Sequence, residues 1–290
     1  MIVEDTALVC EGGGMRNSYS AACICELINN DINFGWVGGI SAGASHAINF
    51  LSKDTHRTKA NFVDIAQDSQ AGGWHSFIRG RGYFNSEYIE QQSSAHNTDL
   101  FFDYTRYQES TTALRIGVTR ADTGESFYFG REDSTDAPTL IKQVRASSTM
   151  PLFMPITWID NIPYVDGALG RSGGIAIDAA QADGFEKFLV LLTRPRDYKR
   201  PEVAHPKALR RALRKWPAVA EAMIQRPKYY NATKKLLFEL EKQGRAQLFF
   251  PETMPVSSRE LDYQKLKSSY ELGLAQTKRE WQSWLKFFAS

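Results

Sequence analysis

Gly39-Ile40-Ser41-Ala42-Gly43 places a serine where its type and spacing suit attack on a carbonyl carbon. The residues before it, Phe34 to Ile40, read as a buried strand, and Ala42 to Leu51 read as a helix. A serine at such a junction sits on a sharp turn and exposes its hydroxyl above the sheet edge. Gly39 and Gly43 are needed there because a side chain at either position would clash in the tight turn. The helix that starts at Ala42 aims free N–H groups and its positive dipole end at the same spot. Outside that setting Ser41 would be an ordinary helix N-cap.

Gly12-Gly13-Gly14-Met15-Arg16 is the second chemical element. Three glycines between a strand and a helix leave backbone N–H groups free to face an anion. A dinucleotide pyrophosphate and the oxyanion of an acyl-transfer intermediate both fit that description. A dinucleotide fingerprint requires a third glycine where this chain has Asn17, and an acidic residue where the second strand ends in Ser41. A phosphate loop with its GK[ST] ending is absent too. An oxyanion hole explains the glycines better. Arg16 either orients the loop, meets a lipid phosphate or forms a plain salt bridge.

A serine nucleophile needs a base. His46 follows Ser41 too closely to swing back, and His56, His75, His96 and His205 belong to no motif. Asp166, in Asp166-Gly167-Ala168, is the alternative, although Asp-Gly pairs commonly mark turns. A carboxylate with a pKa of about 3.9 is a weak base. Desolvation would raise that value, and direct contact with the hydroxyl would substitute geometry for basicity.

The elements that must position these residues read as strand, glycine turn and helix, repeated, which predicts a parallel sheet with crossover helices. Strands are expected at Thr6 to Cys10, Leu114 to Arg120, Glu125 to Phe129, Ile156 to Ile159, Pro163 to Val165 and Lys187 to Thr193. Helices are expected at Met15 to Asn29, Thr139 to Ser147 and Ile175 to Ala182, then at 206–215, 217–225, 230–243 and 263–286, with breaks at Pro217 and Pro227. Residues 70–110 are glycine-punctuated and weakly patterned, as a lid would be.

The chain has 290 residues with a net charge of +2 and 42% apolar residues, which excludes a disordered chain. Its three cysteines read as reduced core thiols. Residues 1–193 carry 14 Lys+Arg against 23 Asp+Glu, a net of −9; residues 194–290 carry 21 against 10, a net of +11. The basic tail is expected either to pair with the acidic body or to meet anionic lipid headgroups. Nucleic acid is not expected, since no reading motif accompanies the charge. The longest aliphatic and aromatic run, Phe188 to Leu192, is far short of the roughly 20 residues of a membrane span. Met1 to Asp5 is acidic where a secretory leader is basic, so the cytoplasm is the expected location, with peripheral contact at the inner membrane surface left open.

Taken together and in this order, the glycine loop with Arg16, the Ser41 elbow and Asp166-Gly167-Ala168 resemble the patatin-like phospholipase family. Arg145-Ala146-Ser147-Ser148-Thr149-Met150-Pro151 resembles the family's helix end before the aspartate, and the likeness spans about residues 6–195. The resemblance implies a three-layer α/β/α sandwich with a mostly parallel sheet (residues 1–195) and a basic, mainly helical C-terminal region (196–290). It implies a Ser41–Asp166 dyad without metal or cofactor, acting on phospholipid or other fatty-acyl esters through an acyl-enzyme, with an oxyanion hole formed by Gly12, Gly13, Gly14 and Met15, with Ala42. The family commonly has glycine where this chain has Asn17. A small-ester or thioester hydrolase that never touches a bilayer, and a non-catalytic lipid-binding module, remain alternatives. Oligomeric state has no signature in the sequence.

Overall fold

The computed structural model describes residues 1–290. The second half of β1 (Ile2–Cys10), Thr6 to Cys10, is buried on both faces and separates two cores. Leu8 and Cys10 point into one of them, Ala7 and Val9 into the other, as the two-residue period of a strand requires. After β1 come α1 (Asn17–Asn29), β2 (Asn33–Ile40), α2 (Ala42–Leu51) and α3 (Thr55–Phe62). The segment expected as a lid holds three short helices, α4 (Trp74–Ile78), α5 (Ser86–Ser94) and α6 (Tyr104–Glu109). Then follow β3 (Ala113–Arg120), β4 (Ser126–Phe129), α7 (Ala137–Ser147), β5 (Thr157–Ile159), β6 (Ile162–Asp166), α8 (Ile177–Ala182) and β7 (Lys187–Leu191). The C-terminal residues form α9 (Pro206–Ala212), α10 (Pro217–Lys242), β8 (Ala246–Phe249) and α11 (Tyr263–Ala289).

The strands form one sheet in the order β5-β6-β3-β2-β1-β7-β8, with β4 paired to β3. Pairing is parallel from β3 through β2, β1 and β7 to β8, and antiparallel for β4, β5 and β6. The larger core lies under α1, α2, α7 and α11, and the smaller one under α8 and α10. The molecule is therefore a mixed α/β layered structure with a central, mostly parallel sheet and a helical C-terminal region.

Two local expectations need correcting. Residues 217–225 and 230–243 are one helix, because α10 continues through Pro227. Proline in a helix interior costs about 3 kcal/mol, and the burial of Pro227, Tyr230, Leu237 and Leu240 along one flank outweighs it. The second concerns β8, which sequence patterning left unassigned. Ala-Gln-Leu-Phe is too short to show a period, and its identity as a strand is fixed by pairing with β7.

Candidate active site

Ser41 occupies the single residue between β2 and α2 and adopts φ 57°, ψ −128°, a strained conformation for a residue with a side chain. Glycine neighbours make that turn feasible. A Cβ on Gly39 would lie 2.1 Å from the Gly43 carbonyl oxygen, and one on Gly43 would lie 2.2 Å from that of Cys10. The Ser41 N–H donates to Ser147 Oγ at 2.7 Å, and Ser147 Oγ in turn donates to the Gly117 carbonyl. Ser147, at the end of α7, thus fastens the elbow to β3. Its stretch was visible in the sequence, but this role was not.

Sheet register brings Asp166 to Ser41. Ile40 pairs with Gly117 on β3, and Asp166 on β6 pairs with the next residue, Val118. Ser41 and Asp166 are therefore level with each other across β3, with backbones about 10 Å apart at the usual strand spacing, a gap two side chains span. Both residues are 7% exposed. Gly167 is required for the close approach, since a Cβ there would meet the Gly117 carbonyl at 2.1 Å. The Ala168 N–H donates to Asp166 Oδ1 at 2.8 Å and fixes the carboxylate's rotamer. Burial pushes the Asp166 pKa above 3.8, and this outweighs the opposing effects of the Arg226 charge, the Ala168 N–H, the Ser41 hydroxyl and the Arg200 charge.

The glycine loop lies against the nucleophile, for a Cβ on Gly12 would be 3.1 Å from that of Ser41. Its amides are not equivalent. The Gly12 N–H donates to the Gly174 carbonyl at 3.0 Å and the Met15 N–H to the Ser258 carbonyl at 3.1 Å. The amides of Gly13, Gly14 and Ala42 have no such acceptor, so they are the ones left to meet an anion. Gly14 has φ +56°, which suits glycine. Asn17, the departure from the family pattern, donates through Nδ2 to the Gly14 carbonyl at 3.3 Å and braces the loop. Arg16 is buried, and burial lowers its pKa to about 10.

No histidine competes for the base position. His46 Nε2 lies 3.0 Å from Ser20 Oγ and 3.2 Å from the Asn17 carbonyl, and burial depresses its pKa to about 3. The other four histidines are exposed. Cys10, Cys23 and Cys25 are free and buried.

A cavity of about 150 Å³ opens beside Ser41, Ala42 and Gly14. Phe62, Ile65, Phe84, Ile141, Val144 and Met154 give it an apolar wall. That wall can accept a hydrocarbon group. Part of the wall comes from α5 and Phe84, within the segment expected to cover the site. No helix in the structure is long and apolar enough to cross a membrane.

Two family models match the chain. One, described as "Patatin-like phospholipase", covers residues 8–179, and the other, described as "Domain of unknown function (DUF6363)", covers residues 216–289. Among curated proteins the chain is similar to the uncharacterized protein YjjU of Escherichia coli (strain K12), with 29% identity over 210 residues, 65% of this chain and 52% of that protein. The chain thus spans about half the length of that relative. Among solved structures it is similar to VipD from Legionella pneumophila, with a TM-score of 0.54 and 14% identity over 97% of this chain and 67% of that one. At that identity the likeness is one of fold.

Proposed function

Because the chain belongs to the patatin-like phospholipase family, we propose that it is a serine acyl hydrolase acting on phospholipid or lysophospholipid esters through Ser41 and Asp166. The supporting observation is the level placement of Ser41 and Asp166 across β3, with the apolar cavity opening at the serine. In this reading the fatty-acyl chain enters the cavity and presents its carbonyl to Ser41. Ser41 Oγ bonds to the carbonyl carbon as its proton passes to Asp166. The oxyanion meets the Gly13, Gly14 and Ala42 amides, each contributing on the order of 3–4 kcal/mol to the barrier reduction. The carbon–alkoxide bond breaks and the alkoxide takes the proton from Asp166, leaving an acyl-enzyme. Water then attacks the acyl carbon and gives a proton to Asp166. That proton returns to Ser41 as the fatty acid leaves.

The base strength comes from desolvation. Burial that disfavours the ionised carboxylate makes Asp166 a better proton acceptor than an exposed aspartate.

A fluorophosphonate probe tests this reading. Wild-type protein should be labelled at the peptide containing Ser41, and Ser41→Ala should take up no label. Hydrolysis of a phospholipid in the Ser41→Ala and Asp166→Asn variants should fall by at least about 10⁴-fold. Labelling at another serine, or retained activity in Asp166→Asn, would remove the dyad.

A further inference from the structure

Four guanidinium groups surround the glycine loop, and the proposed reaction uses none of them. Arg16 closes the loop itself. Arg194 follows Thr193, whose Oγ1 would be 2.6 Å from a Cβ on Gly13. Arg226, on α10, places Nη2 3.8 Å from a Cβ built on Gly174, the residue whose carbonyl accepts the Gly12 N–H. Arg200 lies over the ring of Tyr230, 5.3 Å from its centre, and Tyr230 is one helical turn along α10 from Arg226.

The segment that carries Arg194 and Arg200 is fastened to α10. The Arg200 N–H donates to Asn231 Oδ1 at 2.9 Å, and Asn231 Nδ2 donates to the Arg200 carbonyl at 3.0 Å. Lys234 Nζ donates to the carbonyls of Pro195 at 3.2 Å and Tyr198 at 2.6 Å. These bonds occupy backbone groups and leave the guanidinium groups unengaged.

In all four arginines Nε is buried without an acceptor. Arg145 pairs with Glu90 at 2.7 Å and Arg210 with Glu221 at 2.5 Å, whereas none of the four arginines at the glycine loop makes an ion pair. The carboxylates that bear on Arg16 and Arg226 are Glu11 and Asp166. Glu11 Oε2 already accepts the Thr193 N–H at 2.6 Å. None of the four arginines forms an ion pair, so positive charge is in excess beside the nucleophile. Arg194, Arg200 and Arg226 are half-buried, so solvent reaches part of each residue. A phosphate monoester carries about −1.5 to −2 at neutral pH and offers three acceptor oxygens, and guanidinium forks match it bidentately.

We propose that Arg16, Arg194, Arg200 and Arg226 form a phosphoryl-binding site next to Ser41. Resting on the acyl-hydrolase reading above, the site selects esters whose alcohol portion bears a phosphate. The two halves of such a substrate would lie on opposite sides of the serine. The acyl cavity is walled by α3, α5 and α7, while the arginines come from the glycine loop, the stretch after β7 and α10.

Two measurements on the full chain test the proposal. The first is calorimetric titration with inorganic phosphate, which requires no catalysis. Saturable binding to wild type should weaken at least tenfold in Arg194→Gln and in Arg200→Gln, and recover in part in Arg200→Lys. The second is the ratio of kcat/KM for a lysophosphatidate to that for the monoacylglycerol of the same chain. This ratio should fall at least tenfold in both glutamine variants and stay fixed in Lys278→Gln on the exposed face of α11. No phosphate binding by wild type, together with an unaltered ratio, overturns the site. Arginine-dependent phosphate binding with an unaltered ratio overturns the substrate assignment and leaves a site for free phosphate. Arginine-dependent binding with no hydrolysis of any ester upholds the phosphoryl site and overturns the acyl-hydrolase reading instead.

Discussion

In the proposed mechanism Asp166 must be ionised at the working pH to accept a proton, yet its burial opposes ionisation. Its folded-state pKa is raised, so the stability contributed by its protonated form is present at low pH and lost as pH rises through that raised value. The ionised dyad is thus held against the fold's preference, as is common at active sites. For catalysis, the acid limb of kcat/KM should lie above 3.8. Arg226 supplies the largest opposing influence, so Arg226→Gln should move that limb to still higher pH. A short uncharged ester is the substrate of choice, because its rate does not read the phosphoryl site. A limb that stays in place would show that Arg226 does not tune the base. The Gly39, Ser41 and Gly43 elbow was legible in the sequence because its geometry is set by immediate neighbours, whereas Asp166 is brought level with Ser41 by the pairing of β6 with β3 and was read from the missing histidine and the family resemblance. Arg200 and Arg226 were not legible, since they come from the stretch after β7 and from α10, far along the chain. The engaged amides of Gly12 and Met15 were equally hidden, because their acceptors are Gly174 and Ser258.

Among the elements, the α1–α11 contact carries the sharpest test. Ser18 pairs with Ser269 at 2.8 Å, Tyr19 with Gln276 at 2.5 Å and Cys23 with Thr277 at 3.1 Å. Gly273 lets the two backbones approach this closely, for a Cβ there would lie 2.1 Å from the Tyr19 carbonyl oxygen. Helix propensity alone makes Gly→Ala stabilising by up to about 1 kcal/mol. Forcing a methyl against a backbone carbonyl costs about 1–3 kcal/mol, so the clash decides the sign. Gly273→Ala should lower stability by about 1–2 kcal/mol in urea titration; a gain would show that α11 shifts freely. Helix α2 matched its pattern because a glycine elbow starts it and its inward face is continuously apolar. The boundaries that failed, at Pro227 and β8, lie where tertiary pairing outweighs local propensity. In the same way α9 stops at Ala212, short of the expected 215, and Leu213 turns inward beside Val219 and Leu169.

The charge division between the two parts of the chain is resolved only in the whole molecule. Pairing of the basic tail with the acidic body was one expectation, yet Arg245–Glu186, at 3.8 Å, is the one ion pair that joins residues 194–290 to the rest. Arg196, Arg210, Lys242, Lys265, Lys267 and Arg279 pair within the tail itself. The excess positive charge is thus divided between the recess at the active site and the surface. On α9 and just after it, Lys207, Arg211, Arg214 and Lys215 are exposed. Trp216, expected as an interfacial anchor, is half-buried against Trp158 with ring centres 6.2 Å apart, and Trp158 is 51% exposed. Leu152, Trp74 and Ile78 are further exposed apolar residues, and Phe153, next to Leu152, meets Phe77 of α4. This face borders Phe84 and Met154 at the cavity. It is the surface by which the molecule would meet an anionic bilayer, with each basic residue raising the partition coefficient about fivefold. Vesicles containing phosphatidylglycerol should therefore co-sediment the protein more strongly than pure phosphatidylcholine vesicles. Raising salt from 0.05 to about 0.5 M should abolish the difference, because screening shortens the Debye length to a few ångströms. Changing Lys207, Arg211, Arg214 and Lys215 together to Gln should remove most of the anionic preference, while Trp158→Ala should weaken binding to both vesicle types. Equal binding to both compositions by wild type would confine the role of the tail's charge to the active-site recess.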